Sequence, residues 1–260
     1  MSSSTQFLDV HGEGRPPRKI AYLKSAGTRE GVPGLVWMSG FKSDMVSTKA
    51  SVLAPWAESR GAGLLRFDYS GHGQSSGRIE DFTIGDWLAE SLAAFNTHTE
   101  GPQILVGSSM GGWLALLLAR KLIEGGEAAR LRAIVLIAPA WDMTEELMSK
   151  RFSLEAREAL ERDGVFYRPS DYGEPYALTR ALIEEGRNHL LGGAGFDPGC
   201  PVRIIQGLRD PDVPWAHALK LVDLLGEDVR LTLVKDAEHR LSREQDLALL
   251  LATIAEFMPA

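Results

Sequence analysis

Short runs of apolar and β-branched residues alternate along the chain with longer stretches in which apolar residues recur every three or four positions. Runs of the first kind predict strands, at residues 19–24, 34–38, 63–67, 103–106, 131–138, 201–206 and 229–234, with a weaker one at 7–10. Stretches of the second kind predict amphipathic helices near residues 48–59, 84–96, 110–123, 215–225 and 243–257. This alternation predicts a mostly parallel sheet with helices on both faces. The early strands have no helix between them, which is typical of an antiparallel edge.

Residues 141–199 interrupt this alternation. We find no strand-like run there, and two charged stretches near 144–163 and 174–191 predict helices. Residues 167–173 between them are rich in turn-forming types. We interpret the interval as a helical cap, inserted after a sheet strand of a single domain that spans residues 1–260. The alternative is two ordinary surface helices of the same layer.

Composition narrows the function classes. The chain is 44% hydrophobic and 24% charged, which suits a globular protein with an ample core. A net charge of −7 without a clustered basic face argues against nucleic-acid binding. The longest apolar run, residues 113–119, is too short for a membrane span. The single cysteine, Cys200, and the absence of a recognisable signal or transit peptide predict a cytoplasmic protein. The composition predicts no particular oligomeric state.

Residues 107–111 read Gly-Ser-Ser-Met-Gly, which fits the G-x-S-x-G motif of a nucleophilic serine. An apolar strand precedes the motif and a helix-forming stretch follows it, as the motif requires. The turn between them needs small flanking residues and exposes the hydroxyl of Ser109 above the sheet. Ser108 is the rival hydroxyl, but it occupies the variable position of the motif. The pattern therefore predicts Ser109 as the nucleophile.

A serine nucleophile needs a base, and in this architecture the chain order is serine, acid, histidine. His239 follows the last predicted strand and precedes the last helix, so it reaches the same sheet edge as Ser109. We therefore predict His239 as the base, and His189 and His217 as surface residues. The loop after the penultimate strand offers two acids, Asp210 and Asp212. We favour Asp210, which lies nearer to the strand end.

Two backbone amides are predicted to bind the oxyanion. The N–H of Met110 lies at the start of a helix, directly after the nucleophile. The N–H of Phe41 follows Gly40 in the loop after strand 34–38, although Phe41 has an alternative role as a plain core aromatic. Residues of the cap interval are candidates for gripping an acyl chain, namely Trp141, Met143, Phe166 and Tyr167, with Met148 and Tyr176 as further members. Their alternative role is to pack the cap onto the sheet.

Residues 39–45, 66–73, 101–113, 207–210 and 238–241 resemble the serine hydrolases of the α/β-hydrolase superfamily. Within it they are most similar to the mitochondrial palmitoyl-protein thioesterases that also cleave the acyl glucuronide of mycophenolic acid. The resemblance implies an α/β-hydrolase fold with a mostly parallel eight-stranded sheet and a small helical cap. It also implies Ser109, Asp210 and His239 as the triad, and cysteine depalmitoylase or acyl-glucuronide esterase activity. In the Gly-His-Gly turn of this family pattern, we interpret His72 as structural.

The predicted reaction is hydrolysis of carboxylic esters or thioesters through an acyl-enzyme. The substrate is then a small acyl ester or an acylated cysteine of a protein. We expect neither a metal nor an organic cofactor, because no clustered His/Cys ligand set and no dinucleotide-binding spacing occurs in the sequence. The alternatives are a general short-chain carboxylesterase and a non-catalytic binding protein with a hydrolase fold.

Overall fold

The computed structural model describes residues 4–12, 15–168, 175–193 and 195–259. Its strands are β1 (Gln6–Gly12), β2 (Arg15–Ser25), β3 (Gly34–Met38), β4 (Leu64–Phe67), β5 (Gln103–Ser108), β6 (Leu131–Ile137), β7 (Val165–Arg168), β8 (Tyr176–Thr179), β9 (Val202–Gly207) and β10 (Val229–Val234). Its α-helices are α1 (Thr48–Ser59), α2 (Ile84–His98), α3 (Met110–Glu124), α4 (Leu154–Asp163), α5 (Arg180–Gly186), α6 (Trp215–Leu224) and α7 (Glu244–Ala255).

Eight strands of the described residues form one sheet, in the order β1-β2-β4-β3-β5-β6-β9-β10. The six strands from β4 to β10 pair in parallel, whereas β1 and β2 pair antiparallel at one edge. The predicted mostly parallel sheet with an antiparallel edge is therefore confirmed, and each of the eight predicted strands belongs to it. In such sheets, ligands bind where the carboxyl ends of the strands meet.

Helices cover both faces of the sheet and form two separate hydrophobic cores. One core contains the apolar residues of α2 and α3, among them Trp87 and Trp113, which are fully buried. The other core lies under α1 and α7 and includes Trp37, Leu53 and Ile254. The nearly continuous apolar runs of β5 and β6 follow from this arrangement, because both faces of these strands are buried.

The segment between β6 and β9, residues 141–199, differs from the predicted pair of helices. A π-helical stretch, Met143–Met148, and a 3-10 turn, Ser149–Arg151, come first, and α4 begins only after Ser153, whose hydroxyl accepts the N–H of Ala156 at 3.2 Å. Strands β7 and β8 then pair as an antiparallel hairpin, which the prediction of helices alone missed. Of the predicted turn at 167–173, the first two residues belong to β7 and the rest lie outside the described residues.

Candidate active site

Ser109 lies in a sharp turn between β5 and α3, with φ 54° and ψ −119°. A positive φ is uncommon for a residue that carries a Cβ atom, and it costs about 1–3 kcal/mol. The neighbouring backbone holds this conformation. The N–H of Ser109 donates to the carbonyl of Ile137 at 2.9 Å, and its own carbonyl accepts from Gly112 at 2.9 Å and from Ala140 at 3.1 Å. The turn therefore presents the hydroxyl at the carboxyl edge of the sheet.

Glycines make this turn sterically possible. A Cβ atom on Gly107 would lie 2.4 Å from the carbonyl oxygen of Gly111, and one on Gly111 would lie 2.1 Å from the carbonyl oxygen of Met38. Both distances are far below van der Waals contact, and the opposing atoms belong to the backbone. The two glycines of the motif are thus required for the close approach of β3, β5 and α3 around Ser109.

A chain of hydrogen bonds joins Ser109 to His239 and Asp210. His239 Nε2 lies 3.1 Å from Ser109 Oγ, and His239 Nδ1 lies 2.8 Å from Asp210 Oδ2. The loop after β10 brings His239 to Ser109, and the loop after β9 brings Asp210 to His239. With the proton on Nδ1, the ring donates to the carboxylate and Nε2 can accept the serine proton. The arrangement has the geometry of a nucleophile, a base and an orienting acid.

The carboxylate of Asp210 is buried and has hydrogen-bond donors on both oxygens. Oδ1 accepts the backbone N–H groups of Asp212 at 2.9 Å and Val213 at 2.8 Å, and Oδ2 accepts from Gln206 Nε2 at 3.1 Å besides His239. Asp212 contributes its backbone to this network, while Asp210 is the acid that contacts the ring. These contacts fix the orientation of the carboxylate.

Two buried polar residues have contacts that no sequence motif predicts. Gln206, fully buried on β9, also lies within hydrogen-bond distance of the carbonyl of Val213, so it connects the strand to the acid loop. Asp68, buried after β4, accepts from the N–H of Met45 at 2.6 Å and of Gln74 at 2.8 Å. Burial raises the pKa of Asp68. The strand-then-acid pattern at residues 64–68 was the available signal, but Asp68 faces a loop and not the nucleophile.

The predicted oxyanion amides lie beside Ser109. Met110 is the first residue of α3, and a Cβ atom on Gly40 would lie 3.3 Å from Ser109 Cβ, so the backbone that leads into Phe41 passes against Ser109. Within the described part of the chain, neither the N–H of Phe41 nor that of Met110 donates to another residue. Both donors are therefore available to a developing negative charge.

The ring of Phe41 belongs to an aromatic cluster below the site. Its centroid lies 6.0 Å from His72 and 5.9 Å from both Trp87 and Tyr176. Burial lowers the pKa of His72 to about 4, so this imidazole is neutral at pH 7. Its Nδ1 lies 3.1 Å from the carbonyl of Ser70. These contacts support the interpretation of His72 as structural.

A cavity of about 530 Å³ opens onto Ser109 and His239. We call its apolar lining the apolar side, which consists of Phe41, Ala140, Met143, Leu147, Met148, Tyr176, Leu178 and Val213. Much of it comes from the segment 141–199 and belongs to the core of α2 and α3. We call the lining from β3, the start of α1 and the loop after β10 the polar side, which consists of Trp37, Ser47, Thr48, Lys49, Arg240 and Ser242.

The candidate acyl-binding residues divide into two groups. Met143 lines the cavity, as do the further candidates Met148 and Tyr176. Trp141, Phe166 and Tyr167 do not line it. Phe166 packs against Phe152 with ring centroids 6.5 Å apart, and the Tyr167 side chain is 58% exposed. These three predicted residues are therefore not part of the cavity lining.

Trp141 instead pairs with His217. Trp141 Nε1 donates to the carbonyl of His217 at 2.9 Å, His217 Nε2 lies 2.8 Å from the carbonyl of Trp141, and the rings stack at 4.6 Å. The prediction of His217 as a surface residue is wrong, because this pairing buries it on α6. His189 is partly buried and contacts Glu185. Trp141 thus connects the segment 141–199 to α6.

Asp210, Asp212 and His239 form the one group of possible metal ligands found in the described residues. Because both oxygens of Asp210 already accept N–H donors, the contacts fit a hydrogen-bonded acid better than a cation site. No helix within the described ranges is long and apolar enough to cross a membrane.

Comparisons with known proteins show the family to which the chain belongs. The sequence profile of the Alpha/beta hydrolase family matches residues 31–252. Palmitoyl-protein thioesterase ABHD10, mitochondrial, of Homo sapiens is 34% identical over 244 residues, which are 92% of this chain and 76% of the relative. Among solved structures, a putative hydrolase from Agrobacterium vitis has a TM-score of 0.95 and 43% identity over 100% of both chains. Alpha/beta hydrolase domain-containing protein 10 from mouse has a TM-score of 0.84 and 32% identity over 98% of both. The chain therefore belongs to the alpha/beta hydrolase family.

Proposed function

We propose that this chain is a serine hydrolase that cleaves long-chain S-acyl thioesters, with acyl glucuronides as its oxygen-ester substrates. The observation that carries the proposal is the hydrogen-bonded chain from Ser109 through His239 to Asp210, at the mouth of a cavity with an apolar side. Family membership makes the chain a hydrolytic enzyme of the esterase and thioesterase class. The catalytic roles and the substrate are our assignment.

In the first half-reaction, His239 Nε2 takes the proton of Ser109 as Oγ attacks the acyl carbon. The tetrahedral intermediate carries a negative oxygen, which the N–H groups of Phe41 and Met110 stabilise. Asp210 holds the ring in the reactive tautomer and stabilises the imidazolium. His239 then gives its proton to the leaving thiolate or alkoxide, and the acyl group stays on Ser109 as an ester.

In the second half-reaction, water attacks the acyl-enzyme. His239 accepts a proton from the water, the same two N–H groups hold the new oxyanion, and Ser109 leaves with the proton that His239 returns. The products are a carboxylic acid and the free enzyme. Each group therefore acts twice, and the oxyanion donors require no rearrangement between the two steps.

The apolar side of the cavity supports an acyl group of some length. Met143, Leu147 and Met148 come from the segment 141–199, which we propose acts as a cap over the nucleophile. Methionine and leucine adapt to a flexible chain. Burial of one methylene contributes about 0.8 kcal/mol, which corresponds to a rise in kcat/KM of about fourfold per methylene until the cavity is full.

The relatives support part of the proposed biology. They are named palmitoyl-protein thioesterases, which is consistent with an acylated cysteine as substrate. Their names also include the word mitochondrial, so they do not support the predicted cytoplasmic location, which stays a prediction. The expected absence of cofactors stays a prediction as well.

An acyl-chain-length profile tests the proposed substrate class. Thioesters and p-nitrophenyl esters of C2 to C16 acids are compared by kcat/KM with wild type and with Ser109→Ala. We expect the activity to rise from C2 toward long chains, to be highest for thioesters, and to be absent in Ser109→Ala. Highest activity on p-nitrophenyl acetate, with no gain from longer chains, would instead identify a general short-chain carboxylesterase.

A further inference from the structure

The polar side of the cavity has no role in holding an acyl chain. Of its residues, Trp37 belongs to the core under α1 and α7, whereas Met143 and Leu147 of the apolar side belong to the core of α2 and α3. Ser109 and His239 line the same cavity. If the acyl chain occupies the apolar side, the leaving group faces the polar side.

The N-terminus of α1 forms part of the polar side and lacks the usual electrostatic partners. Ser47 is the N-cap residue, but its side chain makes no capping hydrogen bond, and the first turn contains no acidic residue. The N-terminus of a helix carries a partial positive charge that favours anions. Lys49 in this first turn adds a full positive charge. A bound anion would therefore be stabilised here by the helix and the ammonium together.

The hydrogen bonds of Lys49 within the described residues use two of its three N–H groups. Its Nζ donates to the carbonyl of Arg240 and to Ser242 Oγ, the latter at 3.3 Å, and an ammonium has three N–H groups. It forms no ion pair with any residue in the described ranges. The nearby carboxylate of Asp246 bonds to Arg243 instead. Burial and the neighbouring charge of Arg240 lower the pKa of Lys49 to about 8, against the opposing effect of Asp246.

Two further polar atoms of the polar side lack partners. Trp37 is 1% exposed, and its Nε1–H is buried with no acceptor among the described residues. Ser47 Oγ is also buried and unpaired in the described part of the chain. Buried polar groups without partners cost free energy, so this part of the structure has uncompensated polarity.

The charge of the cavity lining has the opposite sign to that of the whole chain. Four cationic side chains line the cavity against two acidic ones, although the chain has a net charge of −7. The cationic residues are Lys42, Lys49, Arg168 and Arg240, and the acidic ones are Asp44 and Asp212. One oxygen of Asp44 accepts the N–H of Val46 at 2.9 Å. A positive concave surface selects anionic ligands.

We infer that the polar side is an anion-binding subsite that takes a carboxylate on the leaving group of the substrate. The Lys49 ammonium and the N–H groups at the N-terminus of α1 are its donors. The subsite makes Lys49 a specificity-determining residue for thioesters and esters whose leaving group is an acid. The inference rests on the proposed function, because it assigns the two sides of the same cavity to the two halves of one substrate.

Two nearly isosteric thioesters test the subsite. S-butyryl thioglycolate carries a carboxylate on its leaving group, and S-butyryl thioglycolamide carries a neutral amide of similar size. With kcat/KM measured by release of thiol and corrected for spontaneous hydrolysis, we expect wild type to favour the carboxylate by about tenfold, as for a charge-assisted hydrogen bond. In Lys49→Met the ratio should fall to about one, mainly through KM. Lys49→Arg should restore most of the preference.

A matched control is Lys121→Met, which removes an exposed lysine at the end of α3 and should leave the ratio as in wild type. A ratio near one in wild type would overturn the subsite. An equal loss of kcat/KM on both thioesters in Lys49→Met would also overturn it, because Lys49 would then have a merely structural role.

Calorimetric binding of both thioesters to Ser109→Ala separates the subsite from catalysis. If wild type hydrolyses neither these thioesters nor their long-chain homologues, the proposed function fails. The subsite would still be established if Ser109→Ala binds the carboxylate thioester more tightly than the amide and if adding Lys49→Met removes this difference. Equal binding of the two thioesters to Ser109→Ala would refute the subsite.

Discussion

The substitution Asp210→Asn removes one acceptor from a site in which every neighbour is a donor. One carboxylate oxygen faces the N–H groups of Asp212 and Val213, and the other faces Gln206 and His239. An asparagine has a single oxygen. If that oxygen keeps the two loop contacts, the amide NH₂ faces His239 Nδ1, which must then be unprotonated.

The consequence is the wrong tautomer of the base. With the proton on Nε2, His239 cannot accept the proton of Ser109, although the 3.1 Å distance between these atoms need not change. The corresponding substitution in a serine protease triad lowers kcat by about 10⁴-fold. That factor corresponds to about 5.5 kcal/mol of transition-state stabilisation. We expect a loss of the same order here.

The assay is kcat/KM on a p-nitrophenyl ester, with the melting temperature as a control for folding. Asp212→Asn is the matched control, because Asp212 bonds to Asp210 only through its backbone N–H. The activity of this variant should stay within about threefold of wild type, as for a side chain outside the reacting network. An Asp210→Asn enzyme within tenfold of wild type, or a larger loss in Asp212→Asn, would refute the reasoning.

Three further predictions concern the turn, a buried histidine and the cavity. Gly111→Ala should lower the free energy of unfolding by about 3 kcal/mol in urea titrations, because the new Cβ atom would lie 2.1 Å from the Met38 carbonyl oxygen. An unchanged urea midpoint of unfolding would contradict this prediction. Burial lowers the pKa of His217 to about 4, so the unfolded state binds more protons below pH 6.5, and stability should fall by up to about 3 kcal/mol as the pH drops from 6.5 to 4. His217→Gln should show a shallower decline over this window, and an equally steep one would contradict the assignment. Leu147→Trp should shift the preferred acyl chain to shorter lengths, and an unchanged chain-length profile would place the acyl group elsewhere.

The sheet could be predicted because its strands are short apolar runs that local sequence alone defines. The central strands β5 and β6 are buried on both faces, so they are nearly continuous apolar runs. The order of serine, acid and histidine could be predicted for the same reason, because each follows a strand of a parallel sheet and must reach the same edge.

The segment 141–199 could not be predicted in detail because its elements depend on tertiary contacts. The hairpin strands β7 and β8 have four residues each and lie among charged residues, so their pattern is too short to oppose a helical interpretation. The pairing of Trp141 with His217 joins residues 76 positions apart, and no local pattern indicates it. Gln206 was missed because a polar residue at the end of a strand resembles an ordinary loop residue.

The most direct test of the central claim is the site of covalent labelling by a fluorophosphonate. After reaction with wild type and proteolysis, peptide mass spectrometry should locate the phosphonyl group on Ser109, and His239→Ala should lose the labelling. Ser108→Ala should still be labelled at Ser109. An adduct on Ser108, or equal labelling of wild type and Ser109→Ala, would contradict the assignment of Ser109 as the nucleophile.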